Sequence, residues 1–102
     1  MKLNSIVKIP KVLGAGLASD DGFIIDAQFT VGYDAEKFGA TAARVVSRIK
    51  KSLELERASA ILYTQKSVFF IRETEDGIFF AICQKDANIG LIKIKIDKAL
   101  KK

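Results

Sequence analysis

Two neighbouring segments of this sequence alternate like β-strands and are nevertheless apolar on both faces. Residues 67–74 read SVFFIRET and residues 78–84 read IFFAICQ, so bulky apolar side chains fall on either side of each predicted strand. A strand that is apolar on both faces is normally covered on both faces. Because a sheet with one long helix can be covered on one side only, the sequence predicts a layered fold with a second helical cover.

The length and composition of the chain indicate one folded domain. Its 102 residues are enough for a single core, and its 49 % hydrophobic content argues against disorder, so we expect one domain over residues 1–102. A lone cysteine, Cys83, permits no disulfide within the chain, which fits a reducing compartment. No signal peptide and no apolar run long enough to span a bilayer are visible. We therefore expect a cytoplasmic protein without membrane insertion.

The charge and the residue types of the sequence argue against nucleic-acid binding, catalysis and metal binding. The net charge of +5 comes from dispersed lysines without an aromatic–basic motif. This pattern favours ordinary solvent-exposed lysines over a nucleic-acid-binding surface. Histidine, the commonest general base and metal ligand, is absent. Asp20, Asp21, Glu75 and Asp76 fall at predicted hairpin turns, where local hydrogen bonding accounts for them. Cys83 fits a buried hydrophobe better than a nucleophile. We expect no enzyme activity, no metal and no cofactor.

The segment VLGAGLASDDGFIID, residues 12–26, has a Gly-x-Gly that could suggest a phosphate-binding loop. The dinucleotide fingerprint would need glycine at Ser19 and a helix directly afterwards, and neither is present. The segment alternates instead, and Gly22 follows aspartate in a strong hairpin signal. We interpret Gly14 and Gly16 as a bare strand face that lets a helix approach the sheet closely.

Residues 34–55 give the clearest helix pattern, with Asp34 as a plausible N-cap. A small-residue stripe of Gly39, Ala43 and Val46 runs along it and ends at Lys50. Small residues at this spacing allow another backbone to come close. Packing on the chain's own sheet and packing on a second helix are about equally supported by the sequence.

The remaining segments complete the order of elements. Residues 2–9 predict a short helix that ends before Pro10, and residues 58–64 predict a third strand. Residues 86–102 fit both a strand and a helix, and the need for a second cover favours the helix. The predicted fold is α+β in α/β/α layers, with a five-stranded antiparallel sheet and the order α-β-β-α-β-β-β-α.

This order, together with two motifs, resembles the roadblock/dynein light chain domain family. Residues 9–22, IPKVLGAGLASDDG, resemble the family's first strand and Asp-Gly turn. Residues 86–93, DANIGLIK, resemble the Asn-Leu-Gly-Leu entry to its last helix. The resemblance covers nearly the whole chain and implies a profilin-like sheet between helices.

The resemblance also implies a role. Family members are non-enzymatic scaffolds or regulators, and prokaryotic members typically bind small Ras-like GTPases and affect their nucleotide cycle or placement. The chain would form a homodimer through its long helices and the edges of its third strands. The implied dimer contacts are Gly39, Ala43, Val46, Lys50, Ile61 and Tyr63. The positions that we would examine for GTPase binding are Arg44, Arg48 and Lys51.

The alternative function is a small-ligand-sensing domain on a related profilin-like fold. Such a sensor needs a cavity, and the many bulky phenylalanine and isoleucine side chains argue against one.

Overall fold

The computed structural model describes residues 3–30 and 32–100 and contains the eight predicted elements in the predicted order. They are α1 (Leu3–Val7), β1 (Val12–Ala18), β2 (Ile24–Phe29), α2 (Ala35–Leu53), β3 (Ser59–Tyr63), β4 (Ser67–Thr74), β5 (Gly77–Gln84) and α3 (Ile89–Leu100). The predicted fold class is confirmed. The short helix predicted within residues 2–9 is α1, five residues long. Residue 2 lies outside the described residues, as do residues 101 and 102 of the C-terminal segment.

The five strands form one antiparallel sheet in the order β2-β1-β5-β4-β3. The two strands with apolar residues on both faces, β4 and β5, are both flanked by other strands. The edges of the sheet are β2 and β3. Both edge strands carry more exposed residues than β5, where six consecutive residues are buried.

Two apolar layers cover the two faces of the sheet, as the pattern of β4 and β5 predicted. On one face, α2 packs over Phe69, Ile71, Ile78 and Phe80. On the other face, α1 and α3 contribute Leu3, Ile6, Ile92 and Ile96 to a core with Val68, Phe70, Phe79 and Cys83. The sheet is therefore the middle layer of an α/β/α arrangement.

The glycines of β1, Gly14 and Gly16, lie in a hairpin, and two aromatic rings pack against them. A Cβ atom on Gly14 would overlap the ring of Phe29, and one on Gly16 would overlap the ring of Phe80. The expectation that a helix itself approaches this bare face is therefore wrong. The rings fill the space, and α2 packs outside them, with the rings of Phe29 and Phe38 stacked at 5.7 Å between centroids.

Helix α2 has a defined start and end. Asp34 is its N-cap, and its carboxylate accepts a hydrogen bond from the backbone N–H of Lys37 at 3.2 Å. Glu54 ends the helix in the left-handed region, with φ 54°, and its N–H bonds to the carbonyl of Lys50. The helix therefore covers its face of the sheet over nineteen residues.

The C-terminal segment is a helix because its first turn is capped. The side-chain oxygen of Asn88 accepts a hydrogen bond from the N–H of Leu91 at 3.1 Å, and its carbonyl accepts from Ile92 at 3.0 Å. Ile92 and Ile96 then fall on one face and are buried, whereas Ile94 is exposed. The strand interpretation of this segment is excluded.

Candidate interaction surface

The groups that the sequence analysis considered for chemistry are Cys83 and four carboxylates. No group of three or more histidine, cysteine, aspartate or glutamate side chains within residues 3–30 and 32–100 could hold a metal ion. Burial raises the pKa of the Cys83 thiol to about 11, so the thiol stays protonated near neutral pH. The four carboxylates at hairpin turns, Asp20, Asp21, Glu75 and Asp76, are exposed.

Strand β3 presents an open backbone edge. Within the described part of the chain it pairs only with β4. The N–H of Glu73 donates to the carbonyl of Ala58, and the N–H of Thr64 donates to the carbonyl of Ser67. Since bonded residues alternate along an antiparallel strand, the backbone groups of the intervening odd-numbered positions point away from β4. Those positions are Ser59, Ile61 and Tyr63.

The open edge carries exposed apolar side chains. Tyr63 is 70 % exposed, and Leu62, on the face of β3 toward α2, is 36 % exposed. The structure thus places Ile61 and Tyr63, two of the predicted dimer contacts, on the strand edge that could receive another strand. Leu62 was not singled out from the sequence, although its alternation with Ile61 would have placed it on the opposite face of the same edge.

The small-residue stripe of α2 faces the chain's own sheet, which is the alternative that the sequence left open. Gly39, Ala43 and Val46 are all buried. A Cβ atom on Gly39 would come within 2.6 Å of the side chain of Ile24 in β2. These three residues therefore pack inside the chain, and their assignment to a contact with a second helix needs correction.

Lys50 also has a partner within the chain. Its amine lies 2.8 Å from a carboxylate oxygen of Glu73 in β4, and both side chains are largely shielded from solvent. The dimer contact predicted for Lys50 thus competes with an intrachain ion pair.

One flank of α2 is only partly covered by the chain itself. On the opposite flank, Gly22 of the β1–β2 turn packs against Ala40 and Ala43. On the less covered flank, Phe38 contacts Phe69 of β4, with 5.6 Å between ring centroids, and also stacks on Phe29 of β2. Val45, seven residues after Phe38, lies on this same flank and is only half-buried.

The outward side of α2 is a basic crest formed by Arg44, Arg48 and Lys51. These positions are spaced by four and three residues, so they share one face of the helix. All three side chains are exposed, and within the described ranges none of them forms an ion pair. The structure thus brings the three predicted partner-binding residues together on one exposed face of α2.

Comparisons with known proteins were made by sequence and by structure. No protein-family model matches the sequence, and no curated protein matches it. A roadblock/LC7 domain structure from Streptomyces avermitilis superposes with a TM-score of 0.81 at 12 % identity, covering 95 % of this chain and 86 % of that one. The gliding protein mglB from Thermus thermophilus gives a TM-score of 0.81 at 13 % identity, covering 97 % of this chain and 80 % of that one. The chain has the roadblock/LC7 fold.

A further structure with the roadblock fold is an MglB with a tetrameric arrangement, which gives a TM-score of 0.80 at 14 % identity and covers 97 % of this chain and 79 % of that one. The resemblance inferred from residues 9–22 and 86–93 is thus confirmed for the fold. Among the helices that the structure describes, none is long and apolar enough to cross a membrane.

Proposed function

We propose that this chain is a non-enzymatic homodimeric regulator or scaffold that binds a small Ras-like GTPase. The observation that carries the proposal is the open edge of β3, with Tyr63 exposed, on a chain with the roadblock fold. An exposed strand edge is a template for pairing, and a second copy would cover it. The roadblock resemblance implies this mode of assembly, and the tetrameric arrangement of one MglB structure supports self-association through this fold.

In the proposed dimer, the β3 edges pair and the α2 helices lie side by side. The contacts on the strand would be Ile61 and Tyr63, as predicted. The contact on the helix would be Val45, in place of the buried small-residue stripe. Pairing of the strands would satisfy the outward backbone groups of β3, and Leu62 would lose its exposed area to the partner helix.

The basic crest would face the GTPase. Three cations on one helix face, without acidic partners among the described residues, favour an acidic patch on the partner and a salt-sensitive association. A regulator of this kind acts by binding one nucleotide state of the GTPase better than the other, so it needs no nucleotide loop of its own.

Affinity co-purification of the tagged protein from its native extract tests the proposal. The extract is supplied with GDP or with a non-hydrolysable GTP analogue, and retained proteins are identified by mass spectrometry. We expect a small GTPase to be retained in one nucleotide state. Replacing Arg44 and Arg48 by glutamate should abolish retention, whereas Lys85→Glu, which changes another exposed cation in the turn after β5, should not. Failure to retain a GTPase in either state would refute the GTPase part of the proposal.

A further inference from the structure

A groove of about 300 Å³ lies between helix α3 and strand β3, on the side of the sheet away from α2. Helix α1 packs on β1 and β2 and meets α3, so the two helices leave the β3 side of this face uncovered. Bulky side chains were expected to leave no cavity, and at this position that expectation is wrong. The volume is at the lower end of the range for small-molecule sites.

The floor of the groove is apolar. Phe70, Phe79 and Ile96 form it, and all three are at least 95 % buried. Ile61 closes the side toward the strand edge. A molecule seated on this floor would need a hydrocarbon body, because a polar group placed there would lose its hydration without gaining a partner.

The rim of the groove is positively charged. Arg72 lies 2.5 Å from one oxygen of Asp97, and Lys93 lies 3.5 Å from the other. Two cations therefore share one carboxylate, and the three groups together carry one positive charge. Lys93 is 53 % exposed and its pairing is long, so its ammonium group is available to a further anion.

We propose that this groove binds a small molecule with a hydrocarbon body and a single terminal carboxylate. The hydrocarbon covers the floor formed by Phe70, Phe79 and Ile96, and the carboxylate lies at the rim between Lys93 and Arg72. One added negative charge neutralises the rim. The proposal depends on the groove alone and not on the dimer or on a GTPase.

The test is an NMR titration with octanoate, kept below its micelle concentration, on protein labelled at the isoleucine methyl groups. We expect saturable shifts at Ile61 and Ile96 and none at Ile6, a buried residue of α1 that does not line the groove. Octan-1-ol and octylammonium share the chain length but lack the carboxylate, and should bind distinctly more weakly.

Three variants locate the anion. Lys93→Gln should weaken octanoate binding about threefold to fivefold, the effect of one partly exposed charge. Lys95→Gln removes the same charge from the other flank of α3, which lines a separate pocket with Lys8, directly after α1, and should leave the affinity unchanged. Asp97→Asn removes the carboxylate that competes for Arg72 and Lys93, and should tighten binding.

Several results would overturn the proposal. The proposal fails if octanoate causes no shifts at Ile61 and Ile96, or if octan-1-ol binds as tightly as octanoate. It also fails if Lys93→Gln and Lys95→Gln change the affinity for octanoate equally, or if Asp97→Asn binds octanoate more weakly than the wild-type protein. Each variant's methyl spectrum without octanoate confirms that its fold is unchanged, so that a loss of affinity reports on the groove.

Discussion

The side-chain amine of Lys50 lies 2.8 Å from one carboxylate oxygen of Glu73, which ties the last turn of α2 to strand β4. The other oxygen of Glu73 accepts a hydrogen bond from the backbone N–H of Ala58 at 3.2 Å. The side chain of Glu73 is 13 % exposed and that of Lys50 is 32 % exposed. One shielded carboxylate therefore joins α2, β4 and the residue that leads into β3.

Replacing Glu73 by alanine should lower the free energy of unfolding by about 1–3 kcal/mol, because it leaves a partly buried ammonium group and a backbone N–H without their acceptor. Urea denaturation measures the change. Glu75→Ala, in the exposed β4–β5 turn, is the control and should change stability by less than about 0.5 kcal/mol. Equal effects of the two substitutions would show that the carboxylate of Glu73 has no special role.

Gly16→Ala should be more destabilising than Gly14→Ala. The added methyl group at Gly16 overlaps the ring of Phe80, which is fully buried and is 5.9 Å from the ring of Phe29 between centroids. Overpacking of this kind costs about 1–3 kcal/mol. The methyl group at Gly14 meets Phe29, which is only half-buried and can move outward. Thermal or urea unfolding of both variants gives the order, and the reverse order would contradict the packing described.

Cys83 should react slowly with iodoacetamide in the folded protein. Burial raises the pKa of its thiol from 9.0 to about 11, so the reactive thiolate is about a hundredfold scarcer than in the unfolded chain at the same pH near 8. Alkylation followed by mass spectrometry, with and without urea, measures the ratio of rates. Comparable rates in both conditions would mean that the thiol is accessible and ionised in the fold.

The Arg72–Asp97 pair should stabilise the fold at neutral pH and cease to do so in acid. The hydrogen bond from Arg72 lowers the pKa of Asp97 below its usual value of 3.8, against a smaller opposing effect of burial. A carboxyl group whose pKa is lowered by folding stabilises the folded state at pH values above its pKa in the unfolded chain. That contribution is lost as the pH falls through its pKa in the folded protein. The stability difference between the wild-type protein and Asp97→Asn should therefore be present at pH 7 and decrease only below pH 3.8. A difference that does not change between neutral pH and about pH 2 would contradict this.

Much of the fold follows from local patterns in the sequence. The two-sided apolar strands β4 and β5 require two covering layers, and the Asp-Gly pairs at Gly22 and Gly77 place two hairpins. The C-terminal segment was ambiguous because Ile92, Ile94 and Ile96 satisfy a strand period as well as part of a helical one. The cap formed by Asn88 distinguishes the two, and an asparagine directly before the periodic run is a signal that sequence analysis can use.

The candidate surfaces were harder to predict because they depend on what packs beside each residue. A small residue such as Gly39 admits any close neighbour, and the sequence cannot distinguish a partner helix from the chain's own Ile24. The α3–β3 groove was missed for a related reason. It arises from where the helices lie over the sheet, and composition, which counts bulky residues, contains no information on that placement.

Sedimentation velocity on the wild-type protein and on two variants of Tyr63 tests the β3 interface most directly. Tyr63 is 70 % exposed, and its N–H points away from β4. Tyr63→Pro removes that outward donor and is tolerable on an edge strand, whereas Tyr63→Thr keeps the donor and the strand preference without the ring. Circular dichroism of each variant confirms the fold.

Pairing of the β3 edges predicts dimers at micromolar concentration for the wild-type protein and for Tyr63→Thr, and folded monomers for Tyr63→Pro. A wild-type protein that sediments as a monomer, or a Tyr63→Pro variant that remains dimeric, would contradict the interface at β3.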